Sequence, residues 1–166
     1  MRLIRPPLVA LYLALGTSLL VSPTAHAAPE GDGYLVFSTV ALHFENADER
    51  NQLNPGIGWE YSPTNSVGFH LGTLVDSFGY QARYAGINYA TPRFAANRVR
   101  LLLGATLLHK QFHKHTEPET KLVPLPAVEL AFSRRAVLNI SGSPEIDFAN
   151  QKNNAVVFFQ LKLNLL

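Results

Sequence analysis

Between Val157 and Leu165 the chain reads Val157, Phe159, Leu161, Leu163 and Leu165 on one face, and Phe158, Gln160, Lys162 and Asn164 on the other. A period of two puts these sets on opposite sides of a β-strand, one greasy and one mostly polar. Such a strand needs apolar surroundings on one side only, and those surroundings are either a protein core or lipid. Counting this segment, eight stretches have strand composition: 33–43, 55–61, 66–76, 80–90, 98–109, 124–132, 136–143 and 155–166. No stretch between them carries a convincing helical period.

The connections alternate in length, and this separates the two environments. Long polar links are expected at 44–54, 110–123 and 144–154, and shorter turns at 62–65, 91–97 and 133–135; the link at 77–79 is the one short connection on the long-loop side. Short turns at one end and long loops at the other are the pattern of outer-membrane barrels. Several segments also approach the ~9–11 residues of a tilted transmembrane strand. The expected fold is all-β: an eight-stranded antiparallel up-and-down transmembrane β-barrel, which leaves no sheet edge unpaired in lipid. The amphipathic last segment runs to Leu166, as outer-membrane barrels commonly end, although most finish on an aromatic residue.

The amino-terminal residues fit export. Arg2 and Arg5 precede an apolar run from Leu8 to Val21, which Pro23 closes ahead of Ala25-His26-Ala27. This is a Sec-type signal peptide over 1–27, and the run is shorter than the ~20 residues of a spanning helix. The barrel domain is then 28–166, with the cell outer membrane as its destination. Cleavage removes Arg2 and Arg5, and no acid, from 14 basic and 12 acidic residues, so the mature chain is formally neutral. Without a basic stripe there is no electrostatic footprint for nucleic acid. The absence of cysteine excludes a disulfide framework and a thiol nucleophile.

With the amino terminus in the periplasm, the first and third segments run outward and end at His43 and at Asp76-Ser77. A hydroxyl, an imidazole and a carboxylate are the groups used in hydrolytic and transfer chemistry. Asp76 and Ser77 are adjacent, so a linear relay through both requires a bend, which Gly79 can help supply. On residue types alone, Asp76-Ser77-Phe78-Gly79 reads more simply as a polar hairpin turn.

The order of short motifs along the chain resembles the lipid A palmitoyltransferase family (PagP), eight-stranded outer-membrane barrels that move a palmitoyl chain from a phospholipid to lipid A. The matching pieces are His43, Asn54-Pro55-Gly56-Ile57-Gly58, Val75-Asp76-Ser77-Phe78, Ala85-Gly86, Pro124-Leu125-Pro126, Ser143-Pro144 and Asn153-Asn154. They cover nearly all of the mature chain, each motif being short. The resemblance implies that His43, Asp76 and Ser77 are catalytic and that Gly86 and Asn88 belong to an acyl pocket. It also implies that Pro55, Pro126 and Pro144 open gaps between strands for lipid to enter sideways, since proline cannot donate a ladder hydrogen bond. The implied partners are a phospholipid acyl donor, a lipid A acceptor and the surrounding membrane lipid. No cofactor or metal is called for, and a monomer is expected.

The chain departs from that family in three ways. Only 28–32 precede the first strand where the family carries an amphipathic helix, and the first outer loop is shorter. Asn88 stands where the family has the glycine that floors its acyl pocket, so a chain shorter than palmitoyl is expected if Asn88 points inward. A non-catalytic small barrel with a structural or interaction role is the alternative. Lipid A deacylases carry their Ser-His pair on a late strand, and here no histidine follows His115.

Other residues read as structure. His109, His113 and His115 can share one face and imidazole binds zinc, but Glu117, Pro118 and Glu119 beside them read as a solvated loop. Arg98 and Arg100 are expected on the lumen side of the fifth segment, opposite Val99, Leu101 and Leu103, with Glu60 as partner. Trp59 and Tyr61, near a short turn, fit an interfacial aromatic girdle.

Overall fold

The computed structural model describes residues 33–165 except 46, 113, 114, 149, 150 and 154, with the backbone alone described over 146–148 and 151–153. The expected signal peptide, 1–27, and the 28–32 segment lie outside the described residues. β1 (Gly33–His43), β2 (Leu53–Tyr61), β3 (Val67–Val75), β4 (Gln81–Ala90) and β5 (Val99–Lys110) follow one another as a meander. β6 (Glu119–Pro124) and β7 (Ala127–Ala131) share the next position in the wall, followed by β8 (Ala136–Ser143). A small hairpin, β9 (Ile146–Phe148) and β10 (Gln151–Asn153), precedes the last strand, β11 (Val156–Asn164).

Every pairing between neighbouring strands of the wall is antiparallel, and β11 pairs back onto β1 from Tyr34 opposite Asn164 to His43 opposite Val156. With β6 and β7 counted as one stave, the wall is a closed, up-and-down barrel of eight strands.

The burial pattern is the reverse of that in a water-soluble domain. Leu53, Ile57, Phe69, Leu71, Ile87, Leu103, Leu107 and Leu122 face outward with 45–66% of their surface exposed, whereas Glu60, Arg100, Glu129, Asn139 and Lys162 are buried in the lumen. An apolar wall around a polar interior needs lipid around it. Along β11 the alternation resolves as expected, with Lys162 and Asn164 inside and Leu161 outside. Trp59, Tyr61 and Phe69 cluster near the β2–β3 turn, with ring centroids 5.2–6.5 Å apart, at a position suited to a membrane interface.

The lumen near the short turns is filled by ions. Lys162 Nζ lies 2.7 Å from Glu60 and 2.6 Å from Glu129. Arg100 Nε donates to Glu129 at 2.5 Å and its Nη1 to the Ser62 carbonyl at 2.9 Å, while Arg93 reaches Glu129 at 3.1 Å. Arg100 is therefore in the lumen as expected, but its carboxylate partner is Glu129 rather than Glu60. Arg98 is not on the lumen face of a strand. Ala95, Ala96 and Asn97 adopt left-handed φ values of 50°, 54° and 66°, and Arg98 N turns back to the Phe94 carbonyl at 3.1 Å. The turn so formed includes Arg98 and leaves Arg93, on its other arm, to reach the ions.

Two expected loops contain strand. The link predicted at 110–123 continues β5 and β6 as a ladder from Ala105 opposite Pro124 to Lys110 opposite Glu119, which leaves 111–118 as the loop. In β6, Glu119, Lys121 and Val123 are less exposed than Thr120, Leu122 and Pro124, a period of two carried by residues whose composition reads as loop. The link predicted at 144–154 holds the β9–β10 hairpin.

Candidate active site

His43 ends β1 and Ser77 follows β3, and the barrel wall brings these ends together at the loop side. Ser77 Oγ lies 2.7 Å from His43 Nε2. A tight turn presents the serine: Asp76 N donates to the Tyr80 carbonyl at 2.7 Å and Gly79 N to the Asp76 carbonyl at 3.0 Å, with Gly79 at φ +87°. That φ favours glycine. The Ser77 carbonyl accepts from Asn51 N at 2.8 Å, which ties the turn to the β1–β2 loop.

Asp76 is held differently from a relay carboxylate. Its Oδ1 accepts from the amides of Phe78 at 2.8 Å and Tyr80 at 2.9 Å. Its Oδ2 is buried without a hydrogen-bond partner, and so is His43 Nδ1. The segment is thus a polar turn in which Asp76 shapes the backbone that aims Ser77 at His43. Among the described residues Asp76 makes no hydrogen bond to His43.

His43, Asp76 and Ser77 border a cavity of about 460 Å³ in the loop-side half of the lumen. This lies within the ~300–1,000 Å³ range of small-ligand sites. Its wall includes Leu74, Leu102, Leu108, Val123, Leu125 and Phe158. Asn88 is buried and borders the cavity, where its Oδ1 accepts from Ser62 Oγ at 3.0 Å. Gly86 of β4 is the register partner of His70 in β3, close enough that a Cβ there would come 2.6 Å from His70 Nε2. His70 Nε2 itself lies 2.9 Å from Thr106 Oγ1.

The prolines sit at two irregularities in the wall. Pro55 lies in β2 opposite a β1 bulge between Ser38 and Val40, and beyond it pairing resumes with Ala41 N donating to the Gln52 carbonyl at 2.9 Å. The seam between β6 and β8 is different. β7 pairs with β8 up to Ala127 opposite Ser141, and Gly142 N donates to the Pro126 carbonyl at 3.1 Å. Continuing that register sets Pro124 against Pro144, two residues with no amide hydrogen. Past this point β6 pairs only with β5 among the described residues, so its other edge is open beside the cavity.

His109 points outward and its Nδ1 lies 2.9 Å from Thr120 Oγ1, while His115 stands in a turn at φ +64°. His113 lies outside the described residues. Sequence reasoning passed over Arg50, Lys110 and Lys121, which also border the cavity. Lys121 shares the inward face of β6 with Val123, and that period of two was the available signal.

An apolar wall, an ion-filled lower lumen and a cavity opening toward the loops define a small outer-membrane β-barrel with an internal cavity. No protein-family model matches the chain, and no curated protein matches it in sequence. Among solved structures, the chain is similar to the N-terminal β-barrel domain of Pseudomonas aeruginosa OprF, with a TM-score of 0.48 and 11% identity over 80% of this chain and 97% of that one. It is also similar to the Yersinia pestis outer membrane protein Ail, with a TM-score of 0.40 and 16% identity over 81% and 99% of the two chains.

Proposed function

We propose that this barrel is an outer-membrane acyltransferase that moves a fatty acyl chain, palmitoyl or shorter, from a phospholipid to lipid A. The observation that carries the reading is the 2.7 Å contact between Ser77 Oγ and His43 Nε2 at the edge of a largely apolar cavity. A hydroxyl hydrogen-bonded to an imidazole is the minimal pair for acyl transfer: the imidazole takes the proton as the oxygen attacks an ester carbonyl. The cavity below receives the acyl chain, and the open edge of β6 gives a phospholipid a route from the bilayer. The leaving lysophospholipid oxygen takes up the proton held by His43; a lipid A hydroxyl then attacks the Ser77 ester and gives its proton to His43, which returns it to Ser77 Oγ as the acyl–serine bond breaks. Asp76 is a positioning residue through its two amide contacts.

The test uses the purified mature barrel in mixed micelles with an acyl-labelled phospholipid and lipid A. Labelled lipid A is expected with the native protein, and a loss of roughly 10²–10⁴-fold with His43→Ala, the usual worth of a general base. Equal transfer by His43→Ala would remove the histidine from the chemistry. No transfer by the native protein across donor lipids would favour a non-catalytic barrel.

A further inference from the structure

We infer that Asn139 and Ser141 form a hydroxyl-binding subsite in the side of the cavity, so that the chain received there is a hydroxylated acyl chain rather than a plain hydrocarbon. This rests on the reading of the cavity as an acyl site, and adds the chemical class of the chain.

The cavity has two unlike sides. Leu74, Leu102, Leu108 and Leu125 line it from β3, β5 and the β6–β7 link. From β1, β11 and β8 come Ser38, Gln160, Asn139 and Ser141. Three of these polar residues are joined: Asn139 Nδ2 donates to Gln160 Oε1 at 2.9 Å, and Gln160 Nε2 donates to Ser38 Oγ at 3.2 Å. The Asn139 amide is thereby held in place, with its Oδ1 buried and without a hydrogen-bond partner. Reversing both amides would exchange an unpaired acceptor for an unpaired donor at the same position, because the Ser38 hydroxyl can serve either way. Ser141 Oγ, two residues along the same face of β8, is likewise buried and unpartnered.

Asn139 is 5% exposed and Ser141 2%. Polar atoms so deeply buried are costly to leave unpaired. Other polar side chains bordering the cavity are matched to each other or to a neighbour in the wall: His70 Nε2 lies 2.9 Å from Thr106 Oγ1, and Asn88 Oδ1 accepts from Ser62 Oγ at 3.0 Å. The remaining unpartnered atoms bordering it, on His43, Asn54 and Asp76, belong to the Ser77 end, where Asn54 Nδ2 donates to the Val75 carbonyl at 2.8 Å. Asn139 and Ser141 are therefore a separate polar spot in a cavity otherwise suited to hydrocarbon. A single hydroxyl satisfies both, donating to Asn139 Oδ1 and accepting from Ser141 Oγ.

The strand register gives the position of that hydroxyl on the chain. His43 is opposite Val156, and Val156 is opposite Ser143. Ser141 and Asn139 come two and four residues deeper on β8, roughly 7 and 13 Å along the strand. With the acyl carbonyl at Ser77, the hydroxyl falls in the middle of the chain and not on a carbon next to the carbonyl.

The experiment is isothermal titration of the full mature barrel in nonionic micelles with stearate and with a mid-chain hydroxystearate. Neither carries an ester, so no turnover intervenes. The ratio of the two affinities is compared between the native protein and the double variant Asn139→Leu with Ser141→Ala, which cancels any difference in micelle partitioning. The native ratio is expected to favour the hydroxylated chain by about tenfold or more relative to the variant, the effect of one hydrogen bond to a buried group otherwise unpaired. The same ratio in both proteins overturns the subsite and assigns the two atoms to water. Should the variant not fold, the native protein is titrated with hydroxystearate carrying its hydroxyl next to the carboxylate. That isomer must lose the preference, and an equal gain from either hydroxyl position overturns the subsite. Failure of both fatty acids to bind the native barrel sinks the acyl cavity and the subsite together. A selective native ratio with no transfer to lipid A, from plain or hydroxyacyl phospholipid, keeps the subsite and sinks the acyltransferase reading; transfer with an unselective ratio does the reverse.

Discussion

Lys162 Nζ lies 2.6 Å from Glu129 Oε1 in the middle of the lumen, with no solvent-exposed side-chain surface on either residue. The lysine also holds Glu60, so it compensates two buried carboxylates. Lys162→Met is expected to lower unfolding stability by about 3–5 kcal/mol, because it strands charge in a desolvated interior. Urea unfolding in lipid vesicles measures this, and a change below about 1 kcal/mol would show that water reaches the cluster.

Asp76 acts through the shape of the turn in this account, so its hydrogen-bonding oxygen matters more than its charge. Asp76→Asn keeps an acceptor for the Phe78 and Tyr80 amides and should retain transfer to within about tenfold, whereas Asp76→Ala should lose far more. Equal losses in the two variants, with folding intact, would instead give the carboxylate charge a direct part in the reaction.

The open edge of β6 is the proposed lipid entrance. Leu125 and Ser143 fall opposite each other one residue past the Gly142–Pro126 hydrogen bond, when the β7–β8 register is continued. The chain has no cysteine of its own, so Leu125→Cys with Ser143→Cys gives a single engineered cross-link. Oxidation should stop transfer from bilayer phospholipid and a reductant should restore it; undiminished transfer by the oxidised protein would place lipid entry elsewhere.

Asn88 borders the cavity together with Glu60 of the ionic layer, and on the acyltransferase reading it is the floor that limits the acyl chain. It packs against β3, where a Cβ on Gly68 would approach Asn88 Oδ1 to 2.6 Å. Asn88→Gly removes this polar floor and should shift the transferred acyl group toward longer chains, read as a higher product mass. An unchanged chain-length profile would mean that the ionic layer beneath is the limit.

The fold was legible because a barrel in lipid writes its two faces into every strand. The alternation from Val157 to Leu165 and the short turns at 62–65 and 133–135 needed nothing from the rest of the chain. What failed to show was whatever depends on strands meeting across the lumen. Glu129 is one charged residue in an otherwise apolar segment, and only closure of the wall sets it against Lys162, Arg100 and Arg93. β6 was missed because Glu119, Thr120 and Lys121 have loop composition, and an inward lysine at a cavity mouth breaks the usual link between charge and solvent. In the candidate site, the meeting of His43 with Ser77 followed from where two strands end. The commitment of Asp76 to its own turn required the geometry of that turn.

Mass spectrometry of lipid A from cells expressing this chain, beside cells expressing Ser77→Ala at the same level of folded barrel, tests the central claim most directly. The account predicts a lipid A species heavier by one acyl chain with the native protein and its absence with the variant. The same lipid A profile in both strains, with both barrels folded in the outer membrane, would contradict it.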